Sequence, residues 1–84
     1  MTVLARIRVS LKPSILDPQG RSVLRSLRAQ GATQVQEGRI GKLIEMRLQG
    51  SLAEAESEVQ RLIAELLCNP VMEQAEYQLD EVEG

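Results

Sequence analysis

Alternating apolar and polar residues near the beginning of the chain predict a β-strand with one buried face. Its apolar positions are Val3, Ala5, Ile7, Val9 and Leu11. Arg6 and Arg8 lie between these positions, so their side chains belong to the opposite face. We therefore expect a sheet that packs one face against a core and leaves a charged face on the other side.

An amphipathic helix is predicted after this strand. Asp17 followed by Pro18 is typical of a helix start, because the carboxylate accepts amide hydrogen bonds and proline suits the first turn. Gly31 is a natural helix stop. The apolar stripe of this helix consists of Val23, Leu24 and Leu27, and its other face carries Arg21, Arg25 and Arg28. The pattern favours a helix whose stripe packs on the sheet.

The middle of the chain predicts two more strands joined by a tight connection. Residues 33–37 and residues 43–49 are predicted to be strands, and apolar and charged residues alternate in the second. Between them, Gly38-Arg39-Ile40-Gly41-Lys42 has the glycine spacing of a hairpin.

A second helix and a last strand complete the predicted elements. Ser51 and Glu54 form the S-x-x-E pattern of a capping box, which marks a helix start. Apolar residues then recur every three or four positions, at Leu52, Ala55, Val59, Leu62 and Leu66. The Asn-Pro pair at residues 69–70 ends this helix. Residues 75–80 alternate again as a strand, with Tyr77 directed toward the core.

The element order βαββαβ predicts a ferredoxin-like α+β fold, a two-layer sandwich with an antiparallel sheet and both helices on one face. We expect residues 1–84 to form one such domain. In the usual strand order 4-1-3-2, the first strand lies between the third and fourth. Arg6 and Arg8 would then neighbour Glu45, Glu76 and Asp80, so that opposite charges meet across strands.

Composition favours an oligomer. The apolar residues are mostly aliphatic, with 12 Leu, 7 Val and 5 Ile, and Tyr77 is the only aromatic residue. Cys68 is the only cysteine and has no disulfide partner within the chain. Small domains without such cross-links often gain stability by burying more surface between subunits.

The lack of stacking aromatic residues also argues against an RNA-recognition sheet.

Charge is divided between the two halves of the chain. Residues 1–47 hold nine Lys or Arg and three acidic residues, whereas residues 48–84 hold one Arg and nine acidic residues. This division favours complementarity within the molecule or between subunits. A net charge of −2 disfavours a nucleic-acid partner. No apolar run is long enough to cross a membrane and no secretory signal precedes the first strand, so we expect a cytoplasmic protein.

The side chains offer little for catalysis. The chain has no His and a single Cys, which excludes Ser/His/Asp and Cys/His systems and leaves only carboxylates for a metal. It also has no phosphate-binding glycine loop of a known pattern. We expect no catalytic residue, no cofactor and no metal, and therefore an interaction or regulatory protein.

Two exposed segments are candidates for binding. Pro13 and the Asp17 helix start make residues 12–17 a short, stiff loop, and residues held on a rigid scaffold are often used in recognition. At the predicted hairpin, Arg39 and Lys42 are two cations beside turn amides, so they can hold an anion or a partner's carboxylate.

Three motifs identify a family resemblance. They are S-L-K-x-x-x-L-D-P-Q-G at residues 10–20, V-x-x-x-R-I-G-K-x-x-E at residues 35–45 and L-L-x-N-P-V-x-E at residues 66–73. Together they resemble the small PurS-type subunit of phosphoribosylformylglycinamidine synthase, and the resemblance covers nearly the whole chain.

The resemblance implies an accessory subunit of de novo purine synthesis. Such a subunit forms dimers or tetramers and joins a glutaminase subunit to an ATP-dependent synthetase subunit of the same ligase complex, where it supports ammonia transfer. The positions matching the first two motifs include our candidate partner-binding residues, which are Lys12, Asp17, Gln19, Arg39, Gly41 and Lys42.

A different function stays open, in which a free-standing ferredoxin-like regulatory domain binds a small metabolite.

Overall fold

The computed structural model describes residues 1–83 and contains a three-stranded antiparallel sheet with two helices. Strand β1 spans Thr2–Leu11, helix α1 Pro18–Ala29, strand β2 Gly41–Gln49, helix α2 Leu52–Leu62 and strand β3 Glu73–Val82. A π-helical turn, Ile63–Leu67, continues α2. The strand order is β2-β1-β3. The predicted α+β class, the antiparallel sheet and the central position of the first strand are therefore confirmed.

The core lies between the central strand and α2. Val3, Ala5, Ile7 and Val9 alternate along β1 and are fully buried, as the sequence pattern predicted. Helix α2 lies over β1 and β3, and its Val59 joins this buried cluster. The helix begins with the predicted capping box, because Ser51 accepts from the amide of Glu54 and the Glu54 carboxylate accepts from the amide of Ser51.

The predicted strand at residues 33–37 is not present in the described protomer, so the expected four-stranded sheet is wrong for this chain alone. Helix α1 ends in a Schellman motif, in which the amide of Ala32 donates to the carbonyl of Leu27. Local hydrogen bonds continue after it, including one from the amide of Val35 to the carbonyl of Ala32. Backbone groups of this region are thus engaged in turns. In addition, Val35 is the only apolar residue of the segment 33–37.

The predicted hairpin at residues 38–42 is also wrong. With no strand before it, this segment is an irregular connection from α1, and Gly41 and Lys42 already belong to β2. Gly41 pairs with Ser10 and Lys42 with Val9 on the central strand.

Helix α1 does not cover the sheet, which corrects the prediction that both helices lie on one face. It makes few contacts with the strands or with α2, and Gly20 is its one buried residue. The molecule measures 48 × 29 × 14 Å and has a radius of gyration of 16.4 Å. A compact chain of this length has a radius of about 12 Å. The apolar stripe of α1 is therefore left largely uncovered by residues 1–83.

Candidate functional site

The first two sequence motifs meet at one end of the sheet. The loop of residues 12–17 leaves the end of β1, and residues 38–40 lead into the beginning of β2. The pairing of Ser10 with Gly41 brings these connections side by side. We call the residues that join them, Asp17, Gly20, Arg39 and Ile40, the clasp.

Asp17 is the centre of the clasp. Asp17 is only 7% exposed, and each oxygen of its carboxylate accepts an amide hydrogen bond. Oδ2 accepts from Ile40 N at 2.8 Å and Oδ1 accepts from Gly20 N at 2.9 Å. These two bonds hold the pKa of Asp17 below its ordinary value, and the bond from Ile40 has the larger effect. The charge of Arg39 makes a smaller contribution to the pKa in the same direction. The carboxylate therefore joins the base of α1 to the segment before β2.

Arg39 makes the second connection of the clasp. Its Nη2 atom lies 3.0 Å from the carbonyl oxygens of both Leu11 and Lys12 and donates to them. The guanidinium thus ties the segment before β2 to the end of β1. The structure directs this part of Arg39 to the protein's own backbone.

The glycines of the two motifs allow close approach of backbones. A Cβ atom on Gly20 would lie 2.3 Å from the carbonyl oxygen of Gly38, and one on Gly41 would lie 2.6 Å from that of Val9. Because the opposing atoms belong to the backbone, they have little room to move. The two motifs therefore specify a tightly packed joint.

The other candidate residues surround this joint. Gln19 and Lys42 line a groove of about 300 Å³ together with Asp17 and Glu73. Lys12 is half-buried, and its amide donates to the carbonyl of Met72 at 2.9 Å. The structure thus gathers the candidates at one end of the sheet, with Asp17, Gly41 and Arg39 holding the chain and Gln19 and Lys42 on the surface.

Residues of the third motif were not among our candidates, although they reach the same end of the sheet. The side chain of Asn69 accepts from the amide of Val71, and that of Glu73 accepts from the amide of Asn69. These bonds hold a turn in which Val71 is 76% exposed, as is Leu66 just before it. In the sequence, the third motif was the signal that could have identified these residues. In the structure, neighbouring exposed apolar residues are typical of an interaction surface.

The outer face of the sheet carries the predicted charge pairs. Arg6 lies 3.1 Å from the Glu45 carboxylate and 3.7 Å from that of Asp80. Arg8 is placed opposite Glu76 in the strand register. The expected meeting of opposite charges is therefore confirmed for Arg6.

Within residues 1–83, no group of three or more His, Cys, Asp or Glu side chains is arranged to hold a metal ion. None of the helices in this part of the chain is long and apolar enough to cross a membrane. The side chains of Asp17 and Arg39 bind backbone groups of the protein itself. The geometry of the site therefore supports a structural role, in which the clasp holds the connecting segments in place.

Comparisons with known proteins agree with the motif resemblance. The family described as PurS, phosphoribosylformylglycinamidine (FGAM) synthase, matches residues 4–81. The chain is 38% identical over 77 residues to phosphoribosylformylglycinamidine synthase subunit PurS of Bacillus subtilis (strain 168), and the match covers 92% of each chain. It is also 38% identical over 80 residues to the PurS subunit of Synechocystis sp., covering 94% of this chain and 80% of the relative.

Solved structures share the same fold. The structure of Thermus thermophilus PurS matches with a TM-score of 0.88 and 39% identity, covering 99% of this chain and 100% of the other. A chain in the structure of PurLQS from Thermotoga maritima matches with a TM-score of 0.87 and 29% identity, covering 94% of this chain and 98% of the other.

Proposed function

The chain belongs to the PurS family of phosphoribosylformylglycinamidine synthase subunits, and we propose that it acts in its complex as a structural adaptor. It is an accessory subunit of FGAM synthase in purine biosynthesis. Its proposed role is to hold the glutaminase subunit against the ATP-dependent synthetase subunit so that ammonia passes from one to the other. We further propose that this assembly works in the cytoplasm.

The observation that carries this proposal is the match to a chain of the PurLQS assembly from Thermotoga maritima, which spans 94% of this chain. The residue inventory supports an adaptor, since a chain without His lacks the side chain most often used for proton transfer near neutral pH. The most buried ionisable residue, Asp17, is used to hold two backbone amides. An adaptor requires a backbone that is held rigidly, as these hydrogen bonds hold it, and requires no proton transfer of its own.

Self-association is the second part of the proposal. Val23 and Leu27 on the stripe of α1 are each 40% exposed, and the inner side chains of β2 are only partly buried. An elongated protomer with an uncovered helix and an uncovered half-sheet gains stability when another copy covers both. We therefore expect at least a dimer under the conditions in which the complex forms.

Reconstitution from the three purified subunits tests the adaptor role. Amidation of formylglycinamide ribonucleotide is measured with glutamine and, separately, with ammonia, in the presence and absence of this chain. We expect omission of the chain to reduce the glutamine-dependent rate at least about tenfold and to leave the ammonia-dependent rate nearly unchanged, because only the first requires transfer between subunits. Equal loss of both rates, or no loss of either, would contradict the proposal.

A further inference from the structure

Strand β3 has a free edge within residues 1–83. The strand order β2-β1-β3 places β1 on one side of β3 and no strand on the other. β3 pairs with β1 over its full length of 10 residues, Glu73–Val82. The amides and carbonyls along its other edge form a row of hydrogen-bonding groups that another extended chain can join.

The backbone groups on this edge belong to alternate residues. The amide of Lys12 donates to the carbonyl of Met72, so these two residues, which continue the register of β1 and β3, form a hydrogen-bonded pair. In an antiparallel ladder, such pairs alternate with pairs whose backbone groups point away from the neighbouring strand. By this alternation, the amides and carbonyls of Ala75, Tyr77 and Leu79 point to the free edge.

This edge lacks most of the features that keep edge strands from pairing. Natural edge strands are commonly short, bulged or interrupted by proline, and Lys is frequent on them. β3 has 10 residues in a continuous register with β1, and it contains no Pro, Lys or Arg. Its charged residues are all acidic, and they are Glu73, Glu76, Asp80 and Glu81. Acidic charge is therefore its protection, and this protection acts only against a strand of the same sign.

Charge determines which kind of strand can join the edge. A second copy of β3 would bring two acidic strands together, and like charges on adjacent strands are destabilising. Arg6 lies 3.7 Å from the Asp80 carboxylate, whereas Glu76 and Glu81 take part in no ion pair in the described part of the chain. A strand with Lys or Arg opposite Glu76 gains cross-strand attraction. The edge therefore favours a basic segment of a different protein over another copy of this chain.

The edge of β2 does not have this character. β2 contains Lys42, Glu45 and Arg47, so it has no excess of acidic residues. It also borders the half of the sheet that α2 leaves uncovered, which is the half assigned to a second copy in the proposed self-association. Because β3 lies on the opposite side of β1, its edge is separate from that surface.

From these observations we propose that the free edge of β3 receives an extended, basic segment of a larger subunit of the complex, which adds a fourth strand to the sheet. The segment places Lys or Arg on the face of Glu76 and apolar residues on the face of Tyr77 and Leu79, whose side chains are only partly buried. Backbone hydrogen bonds supply affinity and alternate side chains supply selectivity. The inference rests on the proposed adaptor role and specifies one of its contacts.

Amide hydrogen exchange tests the added strand directly. The chain is exchanged alone and in the complex reconstituted with both larger subunits, and single amides are read by NMR after the complex is dissociated. We expect exchange at Ala75, Tyr77 and Leu79 to be at least about 100-fold slower in the complex, because these amides gain acceptors. The amides of Glu76 and Gln78 point toward β1 and are the internal control, since they should be protected in both samples.

The substitution Ala75→Pro tests the same edge through activity. Proline removes the outward amide of residue 75 and no hydrogen bond to β1, and edge strands tolerate it at such positions. We expect half-maximal glutamine-dependent amidation to require at least about tenfold more of this variant, since the added strand loses a donor and meets the proline ring. Ala75→Ser is the matched control, because it keeps the amide and should act as wild type does. Far-UV circular dichroism checks folding, and the exchange measurement on wild type decides the matter if the proline variant does not fold.

The substitution Glu76→Gln tests the charge of the partner segment. Its control is Glu56→Gln, which makes the same change of net charge at an exposed position of α2. We expect the half-maximal concentration to rise about threefold for Glu76→Gln and to stay unchanged for Glu56→Gln. Equal behaviour of the two variants would contradict a basic segment at this edge.

Three further results would overturn the inference. The first is exchange at the outward amides that is as fast in the complex as in the chain alone. The second is protection of these amides in the chain alone, which would place a second copy at the edge. The third is a folded Ala75→Pro variant that is as effective as wild type. None of them bears on the adaptor role itself, which omission of the whole chain tests separately.

Discussion

At the scale of single residues, the buried carboxylate of Asp17 joins the start of α1 to the segment before β2. Asp17 has two amide partners that are 20 residues apart in sequence, Gly20 and Ile40. It stabilises the helix start as an ordinary N-cap does, and it also holds the segment before β2. Because its pKa is lowered in the folded protein, the charged form is the one that supports the structure.

The substitution Asp17→Asn tests this role through pH. An asparagine presents only one oxygen, so one amide loses its acceptor, and we expect Tm near neutral pH to fall by roughly 5–10 °C. The stabilisation by the carboxylate is fully present above its ordinary pKa of 3.8 and is lost as the pH falls through the lower folded value. The difference in Tm between wild type and variant should therefore shrink below about pH 4.

Thermal unfolding from pH 2.5 to 7 at constant protein concentration measures this difference. Glu37→Gln is the control, because Glu37 is exposed and its replacement should change Tm little at any pH. A difference for Asp17→Asn that stays constant across this range would mean that the carboxylate charge does not stabilise the clasp.

At the scale of elements, α1 is held at its base and free along its length. The contact between Gly20 and Gly38 leaves no space for a side chain, whereas the stripe farther along is exposed. Substitutions at the base should therefore affect the fold of the protomer, and substitutions along the stripe should affect association.

Gly20→Ala tests the base of the helix. Alanine favours a helix more than glycine does, yet its Cβ would lie 2.3 Å from the Gly38 carbonyl oxygen and 2.9 Å from the Arg39 Cα atom. We expect Tm to fall by at least about 5 °C, since the backbone must shift. Ser22→Ala on the exposed part of the same helix should leave Tm unchanged or slightly raised. A Gly20→Ala protein as stable as wild type would contradict the tight joint.

Val23→Asp tests the stripe. Since Val23 is 40% exposed in the protomer, we expect the variant to keep its secondary structure while its dimer dissociates, as measured by sedimentation velocity and circular dichroism. Val59→Ala is the contrasting change, because Val59 is fully buried and its truncation should lower the free energy of unfolding by about 2 kcal/mol. Unfolding of Val23→Asp would show that the stripe belongs to the protomer's own core, whereas a dimer as strong as wild type would show that the stripe lies outside the contact between copies.

The elements that the sequence predicted well are those whose signals are local or buried. The alternation in β1 and the capping box of α2 need no information about distant residues. The stripe of α1 was assigned to the protomer's own sheet, because periodicity shows that a face needs covering and does not show which chain covers it. Residues 33–37 were assigned to a strand, whereas their backbone groups make local turns. The Asp17 to Ile40 bond was missed for a similar reason, since an N-cap signal reveals only the near partner.

At the scale of the whole molecule, a thin and elongated protomer suits a subunit that works by contact. Its smallest dimension is 14 Å, and its exposed apolar residues include some on α1 and some in the turn of the third motif. A second copy accounts for the first of these surfaces in our proposal. We propose that the loop end of the sheet is the surface available for a larger subunit of the complex.

The most direct test of this account titrates the glutaminase and synthetase subunits with wild-type chain and, in parallel, with Val23→Asp. The ratio of glutamine-dependent to ammonia-dependent amidation should rise to saturation with wild type, and the variant should require a concentration at least about tenfold higher. The account would be contradicted if the ratio were the same without the chain, or if the purified chain alone carried out the amidation.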